Sequence, residues 1–96
     1  MVKIYKYKIR IEEEGIIKGR IAVPLKVDWQ GDDLCVWCMV SDSLPEIKIK
    51  FYVVPTGYEF NLKEGMIYAT TIQDGVYVWH IFYEITEKPG GKKGEN

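Results

Sequence analysis

The stretch "LCVWCMVS", Leu34 to Ser41, decides the fold. Read as a redox motif, Cys35 and Cys38 need a helix start to bring their sulfurs together and lower a thiol pKa. The residues that follow, "MVSDSLPE", mix apolar and β-branched side chains and then enter a loop, so no helix begins there. In a strand, residues three apart lie about 10 Å from one another and point to opposite faces. A disulfide needs Cα atoms within roughly 7 Å, which one strand does not allow. A structural zinc site takes four ligands as a rule, and Cys35, Cys38 and His80 are all the cysteines and histidines present. No metal site and no disulfide are therefore expected. The stretch reads as a central strand, apolar on both faces, with one buried thiol on each.

Working outward, the period of two continues. "PLKVDWQ" (24–30) precedes it, with Leu25, Val27 and Trp29 inward and Pro24 marking the strand's start. Gly31 to Asp33, "GDD", forms the turn of a hairpin between the two. Upstream, "KIYKYKIRI" (3–11) places Lys3, Tyr5, Tyr7, Ile9 and Ile11 on one face, and its basic residues suit a sheet edge. Gly15 and Gly19 bracket "IIK", which leads into a short second strand reaching Ile21 and Val23. Downstream, "IKIKFYVV" (47–54) turns Ile47, Ile49, Phe51 and Val53 inward. "PTGYEFNLKEG" (55–65) breaks the pattern. "MIYATTIQ" and "VYVWHIFYEI" are joined through Asp74-Gly75, a strong hairpin signal. The chain thus predicts about seven mostly antiparallel strands, all-β, in a small sandwich or a partly closed barrel. One domain is expected over residues 1–86, with "EKPGGKKGEN" (87–96) a flexible C-terminal tail.

Composition narrows the function classes. Of 96 residues, 47 % are hydrophobic and 14 % aromatic, enough for a packed core. The net charge of −1 argues against a nucleic-acid partner bound through its phosphates. No apolar run approaches the roughly 20 residues of a membrane span, so no membrane partner is expected. The opening "MVKIYKYKIRIEEEG" lacks the form of a signal peptide, which points to the cytoplasm.

Two features carry candidate chemistry. His80 shares a strand face with Val78, Phe82 and Glu84. It serves as a base beside Glu84, or as a structural ring bonded to a neighbouring strand; the second reading is preferred, so no catalytic residue and no enzyme is expected. The "PTGYEF" loop offers Thr56 as a hydroxyl, Gly57 for a positive φ, and Tyr58 and Phe60 as aromatics on irregular backbone. Apolar groups on both faces of several strands also point to a homo-oligomer.

The segments "YKYKI" (5–9), "PLKVDWQGDDLCVWCMVSD" (24–42), "KFYVVPTGYEF" (50–60) and "YATTIQDGVYVWHIFYE" (68–84) together resemble a family of small phage and prophage proteins of unknown function. Its marks are a tyrosine-bearing first strand, a Q-G-x-x-x-x-W hairpin, a G-T-G loop followed by histidine, and a terminal V-W-H-x-F-E. The resemblance implies a phage or prophage gene expressed in the bacterial host cytoplasm. It singles out Trp37, Thr56, Gly57, Trp79 and His80. The loop histidine is replaced by Tyr58 here, and the terminal glutamate falls at Glu84 after an extra Tyr83.

The expected function is that of a non-enzymatic accessory binding protein without a cofactor. It would sequester a small nucleotide-like signal of anti-phage defence, or bind a host protein. Tyr58, Phe60 and Trp79 would stack on the ligand, His80, Thr56 and Gly57 would frame it, and Lys48, Lys50 or Arg20 would meet phosphate. The alternatives are a structural or virion-assembly module without a ligand and, more weakly, a single-stranded nucleic-acid binder.

Overall fold

A computed structural model describes residues 1–87 of the chain. The two-residue period becomes seven strands: β1 (Val2–Lys8), β2 (Ile16–Gly19), β3 (Ile21–Gln30), β4 (Asp33–Ser41), β5 (Ile47–Pro55), β6 (Ile67–Asp74) and β7 (Tyr77–Glu87). They form two sheets, β1-β4-β3 and β2-β5-β7-β6, and every pairing is antiparallel. The architecture is an all-β sandwich and not a closed barrel. Among the described residues no helix is long and apolar enough to cross a membrane. The tail expected from residue 87 onward lies outside the described residues, apart from Glu87, which ends β7.

The core forms where the inward positions of both sheets meet. Val36 and Cys38 from β4 join Ile49 and Phe51 from β5 and Ile81 from β7, all at most 2 % exposed. β4 is central in its sheet, as its two apolar faces demand. Cys38 belongs to the core, whereas Cys35 sits on the sheet's outer face in register with Lys8 and Asp28. There Lys6 donates to Gln30 across β4, and Lys8 pairs with Asp33 at 3.1 Å, so Cys35 is still only 2 % exposed. His80 lies on the other sheet, and the possible metal ligands are dispersed over three separate surfaces.

Burial pushes the Cys38 thiol up from 9.0 to about 11. Both thiols are expected to resist a disulfide reagent at pH 8 until the protein is denatured. Between pH 9 and pH 11 the unfolded thiol ionises while the folded one stays protonated, so stability falls as pH rises. Two pKa units correspond to about 2–3 kcal/mol. Denaturant melts of wild type and Cys38→Ala at both pH values measure it, and an equal alkaline loss in the two proteins would contradict it.

The structure corrects four sequence expectations. Pro24 does not open a strand. It pairs with Cys38 in the middle of β3, and register shifts flank it between Ile21 and Val23 and between Pro24 and Lys26. β3 is an edge strand, where a missing N–H and a bulge are tolerated. The second shift leaves Leu25 out of the ladder, and it is 48 % exposed instead of inward. "IIKG" does not continue to Val23, because the chain changes sheets at Arg20, between β2 and β3. Ile11 leaves the strand for a 3-10 turn, Ile11–Glu13, and is exposed.

Candidate functional site

Alternation along β5 and β7 sends Ile49, Phe51, Val53, Trp79, Ile81 and Tyr83 into the sandwich. The intervening residues Lys50, Tyr52, Val54, His80, Phe82 and Glu84 therefore share the outer face of the four-stranded sheet, and the pairs Lys50–Glu84, Tyr52–Phe82 and Val54–His80 lie side by side. β6 borders this face on the far side of β7. Its register shifts between Tyr68 and Thr70, leaving Ala69 as the extra residue. That bulge puts Tyr68 and Thr71, three apart, on the same face, where their hydroxyls lie 2.5 Å from each other.

After β5 the chain turns over the sheet. Tyr58 N–H donates to the Pro55 carbonyl at 3.2 Å, closing a four-residue turn whose third residue, Gly57, has φ +91°. A positive φ at that position is the type II requirement, and glycine meets it without strain. The turn is tied down by Thr56, whose N–H donates to Val78 O at 3.1 Å. Thr56 Oγ1 reaches His80 Nε2 at 2.7 Å, and Thr71 Oγ1 reaches His80 Nδ1 at 3.1 Å. A hydroxyl both donates and accepts, so each threonine can pair with its ring nitrogen whether or not that nitrogen carries a proton. His80 is thereby the centre of a hydroxyl chain running Thr56–His80–Thr71–Tyr68. Glu84 is not its partner, since that carboxylate accepts from Tyr52.

Aromatic rings surround this chain. Phe82 has Phe60 at 5.3 Å and Tyr68 at 5.7 Å between ring centroids. Residues 54–58, Phe60, Tyr68, His80 and Phe82 enclose a basin of about 210 Å³. Tyr58 at its rim is 71 % exposed, and Phe60 and Tyr68 are also exposed. Next to Phe82, the ammonium groups of Lys50 and Lys63 stand 5.3 and 5.5 Å from the Tyr52 ring centre. The hydrogen bond to Glu84 raises the Tyr52 phenol above its ordinary pKa; burial adds to this and Lys63 opposes it.

Thr56, Gly57, Tyr58, Phe60 and His80 thus come together, with Lys50 beside them and Lys48 farther along the same strand face. Two expected members do not join them. Trp79 precedes His80 on a strand, so its ring points to the opposite face, where it packs on the core and stacks with Tyr77 at 5.7 Å. Arg20 belongs to the β2–β3 connection and donates to Leu44 O at 2.6 Å, near Tyr5 and Tyr7. Tyr68, Thr71 and Lys63 are site neighbours that the sequence reading does not include. Thr71 reaches the site through the Ala69 bulge, and Lys63 through a loop folding back, neither of which leaves a periodic signal.

Residues 1–92 match the family described as a domain of unknown function, DUF7352. No curated protein and no solved structure matches the chain. With nearly its whole length covered, the chain belongs to the DUF7352 family.

Proposed function

We propose that this DUF7352 protein is a non-enzymatic binding module that takes a nucleotide-like ligand on the outer face of its four-stranded sheet. One observation carries the reading: exposed aromatics, a hydroxyl–imidazole chain and two lysines occupy one continuous face. A base has a flat π-surface and polar edges. Tyr58, Phe60 and Tyr68 offer stacking surface, and the Thr56–His80–Thr71–Tyr68 chain offers donors and acceptors that can reorient without leaving a buried group unpaired. Lys50 and Lys63 meet the phosphate as point charges. The sites on both imidazole nitrogens favour a recognition role for His80 over a base that must be free to take a proton. In a phage or prophage setting, the module would act in the host cytoplasm by holding a nucleotide signal of defence away from its receptor.

Stacking of one base on an aromatic side chain is worth about 1–3 kcal/mol. Tyr58→Ala is therefore expected to weaken nucleotide binding by about tenfold or more, because each 1.4 kcal/mol is a factor of ten. Tyr58 is largely exposed, so the melting temperature should barely move. Calorimetry with adenine and guanine mononucleotides and cyclic dinucleotides, on wild type and Tyr58→Ala, checks this. Equal affinity in the two proteins would exclude the loop as the stacking surface.

A further inference from the structure

Among the described residues the two sheets leave four edge strands, and three of them are guarded. β3 carries Pro24 and two register shifts, β6 carries the Ala69 bulge, and β2 is only four residues long. Short length, proline and bulges are common means by which a sheet edge avoids pairing with another chain. β1 has none of them: it runs seven residues against β4 with no register shift and no proline. Just past its end, Ile9 N–H donates to Leu34 O, so the odd-numbered residues of this segment turn their backbone groups toward β4. The N–H and C=O groups of Val2, Ile4, Lys6 and Lys8 therefore point out from the free edge, where the side chains of Val2, Ile4 and Tyr5 are all exposed. Lysines reaching over an edge are a further guard. Here Lys6 donates to Gln30 and Lys8 pairs with Asp33 at 3.1 Å, so both lean back across β4 and leave the edge open.

We propose that β1 pairs antiparallel with β1 of a second copy of this chain about a two-fold axis, joining the two three-stranded sheets into one continuous sheet. The strand's own sequence selects that occupant. Laid antiparallel on itself about Tyr5, "VKIYKYK" (2–8) sets Val2 opposite Lys8, Lys3 opposite Tyr7, Ile4 opposite Lys6 and Tyr5 opposite Tyr5. Each outward-pointing even residue then meets another, as the hydrogen-bond ladder requires. No lysine faces a lysine, and Lys3 of each copy lies beside the Tyr7 ring of the other. Other registers do worse. A slip of one residue either way sets Lys3 opposite another lysine and sets even residues against odd ones. Centring the pair on Lys6 opposes Lys6 to itself, and centring it on Ile4 leaves Tyr7 and Lys8 without partners in the strand. The seam belongs to the three-stranded sheet, away from the face proposed for nucleotides.

Sedimentation equilibrium of the full chain is expected to show a reversible dimer. Amide hydrogen exchange, compared between dilute and concentrated samples, reads the seam itself. The N–H groups of Ile4, Lys6 and Lys8 should exchange fast when dilute and become protected when concentrated, whereas those of Tyr5 and Tyr7, already bonded to β4, should change much less. Ile4→Pro removes an N–H that points away from β4, a place where an edge strand tolerates proline. It should raise the dimer dissociation constant about a hundredfold, for a hydrogen bond lost from each copy. Ile4→Lys puts a lysine opposite Lys6 of the other copy, twice per dimer, and should weaken association by about tenfold; adding Lys6→Glu makes those pairs attractive and should restore it. That rescue keeps the test decisive if Ile4→Pro folds poorly. A monomer up to millimolar concentrations would overturn the inference and leave the edge to a strand of another protein. A dimer that persists in both Ile4 variants, or that forms without protecting the Ile4, Lys6 and Lys8 amides, would overturn it too.

Discussion

Phe51→Ala is expected to leave much of the protein unfolded at physiological temperature. Phe51 is 2 % exposed on the inner face of β5, and its ring lies 5.7 Å from that of Tyr83 on β7. Truncating a buried phenylalanine costs about 3–5 kcal/mol, from lost transfer energy and the cavity left behind. Small domains of this kind have about 5–15 kcal/mol in total, so the change removes a large share. At about 4–8 °C per kcal/mol for a domain of this size, the melting temperature should fall by roughly 12–40 °C. Phe51→Leu, which refills most of the space, should lose much less. Thermal melts followed by circular dichroism measure both, and a fall of only a few degrees for Phe51→Ala would mean that the two sheets do not meet at this residue.

Gly15→Ala should be strongly destabilising, for two separable reasons. Gly15 has φ +64°, which L side chains seldom adopt. An added Cβ would also lie 2.7 Å from the Phe51 carbonyl oxygen. That backbone cannot retreat, because Phe51 N–H donates to Gly15 O at 2.9 Å and thereby prolongs the β2–β5 pairing. Strained backbone costs about 1–3 kcal/mol by itself, and the close contact adds to it, giving about 2–4 kcal/mol. Gly57→Ala provides the comparison. Its φ is +91°, but nothing lies within 4 Å of the added Cβ, so only the conformational part applies. Urea unfolding of both variants should rank Gly15→Ala well above Gly57→Ala, whereas equal losses would rule out the contact with Phe51.

Much of this fold was legible because strand alternation and turn chemistry are local. "LCVWCMVS" was apolar on both sides and became the centre of its sheet. Gly31 and Gly75 both have positive φ and open two-residue hairpin loops, although the second turn falls on Gly75-Val76, one residue beyond the Asp74-Gly75 pair. The loop after β5 was legible for the same reason, since Thr56, Gly57 and Tyr58 break the alternation. Bulges were not. An extra residue at Leu25 or Ala69 flips everything after it to the other face, and no periodic pattern announces it. The strand parity that put His80 with Val78 and Phe82 also placed Trp79 on the opposite face. Aromatic character alone suggests a stacking role for Trp79, whereas its strand position turns the ring toward the core. Charge alone suggests a phosphate partner for Arg20, whereas it ties the sheet-to-sheet crossing to Leu44.

The most direct test of the proposed nucleotide face is a nuclear magnetic resonance titration of 15N-labelled protein with the nucleotide that calorimetry ranks highest. Amide shifts are predicted for Val54, for residues 56–60 and for Tyr68, Thr71, His80 and Phe82, with the β1-β4-β3 sheet unmoved. Shifts centred on that other sheet, or none at millimolar concentrations of any nucleotide tried, would contradict the assignment of this face as a nucleotide-binding surface.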